Sequence, residues 1–251
     1  MHIAVAAKAV PDYEVPARDF ELAGNRAHSR YKRVIGLYDE NAIEMGVQLK
    51  EKYGARLSIV SYGLSDDVVT LRKAIAMGGD NLYLVLGESD DPYVIAANLK
   101  MVLEQLADVD LVLTGQQSSD MDRGIVHGIL AGMLGYTFLA EISTIESDQD
   151  RWTVTQSHDS GSRVLQFSEK AVLSITSTAE NTPRIPKVKA IMAAVKKPVE
   201  KFQEVDSAPM KVEEIKVEIP KLESICEFMP LDDLQQTAKL LLARLREERY
   251  L

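Results

Sequence analysis

Along the first half of the chain, short apolar runs alternate with longer stretches whose apolar residues recur every three or four positions. His2 to Ala7 is a run of small and branched residues, closed by Lys8 and then Pro11-Asp12, and reads as a buried strand. Over Asp39 to Tyr53, the residues Ala42, Met45, Gly46 and Leu49 share one helical face, and Gly54 follows as a stop. Arg56 to Tyr62 predicts a second strand, and Asp66 to Met77 a second helix ending at Gly78-Gly79. Two more strands follow at Asn81 to Leu86 and Asp110 to Thr114, separated by a helix from Pro92 to Ala107. A last helical stretch covers Gly124 to Leu134.

Strands and helices alternating at this length require right-handed crossovers. The expected fold class is α/β, a mostly parallel sheet with helices on both faces, adenine nucleotide alpha hydrolase-like or flavodoxin-like. Ligands of such sheets bind beyond the carboxyl ends of the strands, which points to the tips Ala6–Lys8, Tyr62–Leu64 and Gly115–Gly124. Further on the pattern changes. Trp152–Gln156 and Arg163–Phe167 flank His158-Asp159-Ser160-Gly161 as a hairpin, and Ala171–Thr176 is a further strand. Ser177 to Pro198 carries three prolines and many basic residues, too broken for regular structure throughout. Residues 199–230 are charged and punctuated by proline, as expected of an extended arm. Leu231 to Glu248 closes the chain as an amphipathic helix with Leu234, Ala238, Leu241, Leu242 and Leu245 on one face. The expected organisation is a nucleotide-binding domain over 1–195, with a loop at 181–196, followed by an arm and helix over 196–251.

Composition narrows the function. With 251 residues, 46% of them hydrophobic, the chain can bury a sizeable core. A formal charge of −9, from 38 acidic and 29 basic residues, argues against nucleic acid as the main partner. Cys226 is the single cysteine, which excludes an intrachain disulfide and fits a reducing compartment. The apolar stretch of MHIAVAAKAV is too short for a signal peptide, and no run approaches the ~20 apolar residues that cross a bilayer. A cytoplasmic protein without direct membrane insertion is expected. The chain has no Gly-x-Ser-x-Gly elbow, P-loop, metal-spaced histidine cluster or Gly-x-Gly-x-x-Gly fingerprint, which favours a binding or carrier role over a stand-alone enzyme.

The segment with most chemistry is Leu111-Val112-Leu113-Thr114-Gly115-Gln116-Gln117-Ser118-Ser119-Asp120, followed by Met121-Asp122-Arg123-Gly124 and a helix. A strand entering a glycine, a small polar loop and a helix start offers backbone N–H groups to a phosphate and side chains to a base or ribose. Every α/β crossover has such a loop, so by itself the pattern is weak. Asp120 and Asp122 are expected to cap the following helix. His127 is expected to pack near the helix start, and Tyr62 and Tyr13 either pack at strand ends or face a ligand.

Several stretches, in order and at matching spacing, resemble the beta subunits of electron transfer flavoproteins. They are Lys8-Ala9-Val10-Pro11-Asp12-Tyr13, Asp39-Glu40-Asn41-Ala42-Ile43-Glu44, Ile59-Val60-Ser61-Tyr62-Gly63 and Leu71-Arg72-Lys73-Ala74-Ile75-Ala76-Met77-Gly78-Gly79-Asp80. Thr114 to Asp120, Asn181-Thr182-Pro183-Arg184, Ile191-Met192 and Lys196-Lys197-Pro198 continue the match. The resemblance implies a heterodimer in which a larger alpha subunit holds most of a redox FAD and the beta subunit buries AMP, with a second FAD replacing AMP in electron-bifurcating, NADH-dependent members. It implies electrons received from a donor dehydrogenase and passed to a quinone oxidoreductase or another acceptor. A stand-alone adenine-nucleotide-binding regulatory protein on a similar sheet is the remaining alternative. Carried over by position, the adenylate site is Ala6, the turn Gly36-Leu37-Tyr38-Asp39, Tyr62, and the loop Gly115, Gln116, Gln117, Ser118, Ser119, Asp120, Arg123, Gly124, Ile125 and Val126. Tyr13 falls towards the flavin. Arg184, Val188 and Ile191 fall in the segment that docks partner dehydrogenases, Val188 standing where a leucine is usual. Two positions depart from the family pattern. Gly36 replaces an asparagine of the adenine turn, and Val126-His127 replaces a threonine-glycine or valine-glycine pair at the helix start. Arg123 offers a guanidinium able to grip phosphate in compensation.

Overall fold

The fold was determined as a computed structural model, which describes residues 1–16, 19–23, 26–106, 108–148, 151–158, 160–205, 215–218, 226, 228–229 and 232–250. Two compact units divide the chain, Met1–Lys216 and Val217–Leu251.

The first unit opens with strand β1 (His2–Ala6) and a short β2 (Ala9–Val10), followed by a hairpin of β3 (Phe20–Ala23) and β4 (Arg26–Ser29). β5 (Val34–Ile35) pairs antiparallel with β2 and leads into α1 (Leu37–Tyr53). The series β6 (Arg56–Gly63), α2 (Asp67–Met77), β7 (Asn81–Leu86), α3 (Pro92–Gln105), β8 (Leu111–Gly115) and α4 (Val126–Leu134) then alternates as the hydrophobic pattern requires. β9 (Thr137–Asp148), β10 (Arg151–His158) and β11 (Gly161–Phe167) form a meander, and β12 (Ala171–Ile175) returns to the sheet. α5 (Val188–Lys196) and β13 (Val199–Gln203) complete this unit.

The main sheet has nine strands in the order β11-β10-β9-β12-β8-β1-β6-β7-β13. From β13 across to β9 every pairing is parallel, and the β9–β10 and β10–β11 ladders are antiparallel. The mostly parallel α/β class expected from the sequence is therefore the observed one. β1 lies in the middle of the seven strands joined by parallel pairings, with Ala4 in register with Ser58 on one side and Val112 on the other. Chain order runs outward from β1 through β6 and β7, then resumes at β8 on β1's other side. That reversal places a switch point between the carboxyl ends of β1 and β8, where such sheets bind ligands.

Both faces are covered, so the central strands are mainly apolar rather than alternating, with Ser58, Ser61, Thr114 and Ser174 as buried polar exceptions. On one face Ile3, Val5, Leu57, Ile59, Leu111 and Leu113 pack with Ala42, Ile43 and Met45 of α1, Leu71 and Ala74 of α2, and Ala194 of α5. On the other, Ala4, Val60, Val112 and Val172 pack with Ala96, Leu99 and Val102 of α3 and with Leu130 and Ala131 of α4.

Beyond β2 to β5 and the long strand β9, to which the sequence reading assigns no element, two more lie in stretches that it reads as irregular. α5 occupies part of the proline-rich stretch, starting just beyond Pro186, so the prolines bound the helix instead of breaking it. β13 lies within the stretch expected to be an arm and pairs parallel with β7 from Val199↔Leu82 to Gln203↔Leu86, carrying the sheet past residue 195. Of the expected arm, residues 206–214, 219–225, 227 and 230–231 lie outside the described residues. In the second unit, α6 (Leu234–Glu247) matches the expected amphipathic helix, its start capped by Asp233, which accepts from the N–H groups of Gln235 and Gln236. Leu234, Leu241 and Leu242 of its apolar face are exposed.

Candidate functional site

A cleft opens beyond the carboxyl ends of β1, β6, β7 and β8, with about 1110 Å³ of empty space counting the solvent at its mouth. All three strand tips singled out from the sequence reach it: Ala6 to Lys8, Tyr62 to Leu64, and the loop after β8.

Asp39 organises the centre. Its carboxylate, fully buried in the first turn of α1, accepts from the N–H of Lys8 (2.8 Å) and of Gly115 (3.2 Å), joining the tips of β1 and β8. Burial pushes its pKa up to about 7, against the pull of those two donors and of the Lys8 charge. Gly115 can be nothing larger, since a Cβ there would sit 2.6 Å from Asp39 Oδ1 and 2.8 Å from the Asp39 backbone nitrogen. Lys8 Nζ reaches Asp120 Oδ2 at 2.6 Å and pins the loop after β8 to the end of β1. Gln117 donates to Asp122 within the loop, and Leu37 N–H approaches Ser119 Oγ at 3.4 Å.

Asp120 and Asp122 do not cap α4, contrary to the sequence expectation. The helix starts at Val126, beyond their reach, and both carboxylates hold the loop instead. Ile125 is the cap residue of α4 and makes no side-chain cap hydrogen bond, leaving the first backbone donors without a side-chain acceptor. His127 behaves as expected of a packing residue: it is buried and stacks on Phe138 with ring centroids 5.0 Å apart. Burial lowers its pKa, so the ring is neutral at physiological pH.

Of the residues carried over by position, Ala6, Asp39, Tyr62, Gly115, Gln117, Ser118, Arg123, Gly124, Ile125 and Val126 line the cleft. Gly36, Leu37, Tyr38, Gln116, Ser119 and Asp120 belong to the turn and loop behind it, and Tyr13 is exposed outside its lining. Sequence reasoning missed the loop after β7. Gly87, Glu88, Ser89 and Asp90 form one wall, and Tyr62 holds them there. The Tyr62 hydroxyl accepts from Ser89 N–H (2.8 Å) and donates to Glu204 (2.6 Å), while a Cβ on Gly87 would collide with the Tyr62 ring. Arg33 was missed as well; it lines the cleft and lies 3.3 Å from Asp67. The available signal was β7 itself, a fourth parallel strand whose carboxyl end runs into Gly87-Glu88-Ser89-Asp90. Arg123 donates to the Asp90 carbonyl at 2.9 Å, bridging two walls of the cleft. Ile95, Leu99 and Leu130 give it an apolar floor.

The structure separates the three residues of the docking segment. Val188 and Ile191 are exposed on α5, whereas the Arg184 guanidinium is held by Glu44 and Glu51 of α1. Among the described residues, no group of three or more histidine, cysteine or acidic side chains could hold a metal ion. Nor, among them, is any helix long and apolar enough to cross a membrane.

Fold and cleft together define a doubly wound α/β protein with a cleft at its switch point. The profile of the family described as electron transfer flavoprotein domain matches residues 27–207. A protein of Syntrophomonas wolfei named electron transfer flavoprotein subunit beta is 33% identical over 178 residues, 70% of each chain. One of Saccharomyces cerevisiae, named probable electron transfer flavoprotein subunit beta, is 31% identical over 91% of this chain and 94% of its own. A third, from Thermoanaerobacterium thermosaccharolyticum and named as the beta subunit, is 28% identical over 78% and 76%. The chain belongs to the electron transfer flavoprotein family, as a beta subunit.

Proposed function

We propose that this chain pairs with an alpha subunit that holds most of a redox FAD, and that it buries AMP in its own cleft. The heterodimer takes electrons from a donor dehydrogenase and delivers them to a quinone oxidoreductase or another acceptor. When bound, the flavin supplies the redox chemistry; this chain supplies position, burial and a docking face. The observation that carries the nucleotide reading is the start of α4, which opens without a side-chain cap beside a cleft lined by Arg123. Uncapped N–H groups and a guanidinium suit a phosphate, and the floor of Ile95, Leu99 and Leu130 suits a base. The departures at Gly36 and Val126-His127 leave these groups in place. α5 supports the docking reading, because Val188, Ile191, Met192 and Val195 make one exposed apolar stripe flanked by Lys187, Lys189 and Lys196.

Denaturing the purified heterodimer and weighing the released nucleotides tests the assignment. One FAD and one AMP per heterodimer are expected. Two FAD and no AMP, with reduction by NADH, would replace the simple carrier with a bifurcating one. A chain that forms no flavin-containing heterodimer when produced with its partner subunit, and carries ATP instead, would point to the stand-alone regulatory protein.

A further inference from the structure

A nine-residue helix is too short to persist by its own hydrogen bonds, and α5 turns its largest apolar side chains outward. Only Ala194 is buried and Ala190 partly so, which is little apolar area to hold a helix in place. Polar contacts at both ends make up the difference. At the far end, Arg72 of α2 donates to the carbonyls of Ala194 and Lys197, and Lys197 Nζ donates to the carbonyls of Gly79 (3.2 Å) and Asp80 (3.1 Å).

The near end is held by a polar stripe on α1, made of Asn41, Glu44, Gln48 and Glu51. These residues recur at helical spacing, and Asn41 and Glu44 are buried. Asn41 donates to the Asn181 carbonyl (3.1 Å), and Gln48 to the Glu180 carbonyl (2.8 Å). Arg184 takes the remaining two. Its Nε donates to Glu44 Oε2 (2.8 Å) and its Nη2 to Glu44 Oε1 (2.9 Å), while Nη1 and Nη2 donate to the Glu51 oxygens at 2.6 and 3.0 Å. The Arg184 backbone N–H adds a bond to Glu44 Oε2 at 3.1 Å. Two bidentate grips on one guanidinium make a stiff joint, which lysine cannot reproduce.

We propose that Arg184 is a positioning residue, clamped by Glu44 and Glu51 so that α5 is already a fixed helix before any partner meets its apolar stripe. Fixing the helix in the free protein removes the ordering cost from the binding step. The proposal rests on the reading that α5 docks the donor dehydrogenase, and it shifts Arg184 from contact residue to support.

Arg184→Lys and Glu51→Gln, each in the intact heterodimer, test it. Glu51→Gln alters only the exposed half of the clamp and guards against a variant that fails to fold. Amide hydrogen exchange over Val188–Lys196 is expected to rise about tenfold, with β1 and β8 unchanged. With a substrate-reduced flavin dehydrogenase purified from the same cells as probe, KM for that dehydrogenase is expected to rise several-fold at unchanged kcat. Unchanged exchange across α5 in both variants overturns the clamp. Faster exchange with unchanged KM overturns its role in docking. Val188→Asp distinguishes the two readings, because it leaves the clamp intact: if it too leaves KM unchanged, the docking reading itself fails.

Discussion

At the residue scale, several of the tightest backbone positions of the site, Gly87 and Gly115 among them, are glycines for a reason a local pattern does not carry. Gly115 is small because the Asp39 carboxylate and backbone occupy the space of a Cβ, and Asp39 is distant in sequence. Gly115→Ala is expected to cost ~1–3 kcal/mol in urea unfolding and to weaken nucleotide retention, because the β1–β8 tie must shift. A Cβ at Gly132, inside α4, would meet nothing within 4 Å, so Gly132→Ala is expected to stabilise by ~0.5–1 kcal/mol in the same assay. Asp39 also links stability to pH. Its folded pKa of about 7 lies above the unfolded value, so the folded chain holds a proton that the unfolded chain releases. Its contribution is greatest at or below about pH 4, falls as pH rises to about 7, and is flat above. Glu44 runs the other way: the Arg184 bonds outweigh its burial and hold its carboxyl below the usual range, so its contribution is lost on acidification. Comparing urea midpoints of the wild type and Asp39→Asn across this window isolates the first effect. A stability difference independent of pH would show that Asp39 is ionised throughout.

At the element scale, the legible parts were those whose burial follows a simple period. β1, β6, β7, β8 and β12 are mainly apolar runs broken by a few small polar residues, and α1 to α4 carry apolar faces ended by glycine or a loop. α5 was illegible because its large apolar residues face out and only Ala190 and Ala194 face in, between prolines that read as breakers. β13 was missed because its half-buried residues, Val199 and Phe202, are three apart, a spacing that is not that of a strand. The cleft was legible at three of its four strand tips; the wall after β7 was hidden because its hold on the site runs through the Tyr62 hydroxyl. Val188→Asp on α5 is expected to leave the unfolding midpoint within ~0.5 kcal/mol, since the side chain is 74% exposed. Electron transfer from the donor dehydrogenase should nonetheless fall through a raised KM. A matching loss of stability would mean that the stripe packs on this chain instead.

At the scale of the whole molecule, the cleft at the strand ends is a keystone in the mechanical sense. Four parallel strands end at it, and its polar groups bind one another across it: Asp39 to two tips, Lys8 to Asp120, Arg123 to the Asp90 carbonyl, Tyr62 to Ser89 and Glu204. A ligand there touches segments from β1 to α4, which any global unfolding must separate. Binding confined to the folded state therefore stabilises the whole first unit, by ~2.7 kcal/mol at a hundredfold excess over Kd. Adding AMP to nucleotide-free protein is expected to raise the melting temperature with a logarithmic dependence on concentration. In Arg123→Ala the curve should move to higher AMP without changing shape, because one phosphate donor is lost while the uncapped start of α4 remains. Adenosine, lacking the phosphate, should give a smaller shift that is the same in wild type and variant. If adenosine and AMP stabilise equally, the phosphate is not held at α4, and the cleft reads only the base and ribose.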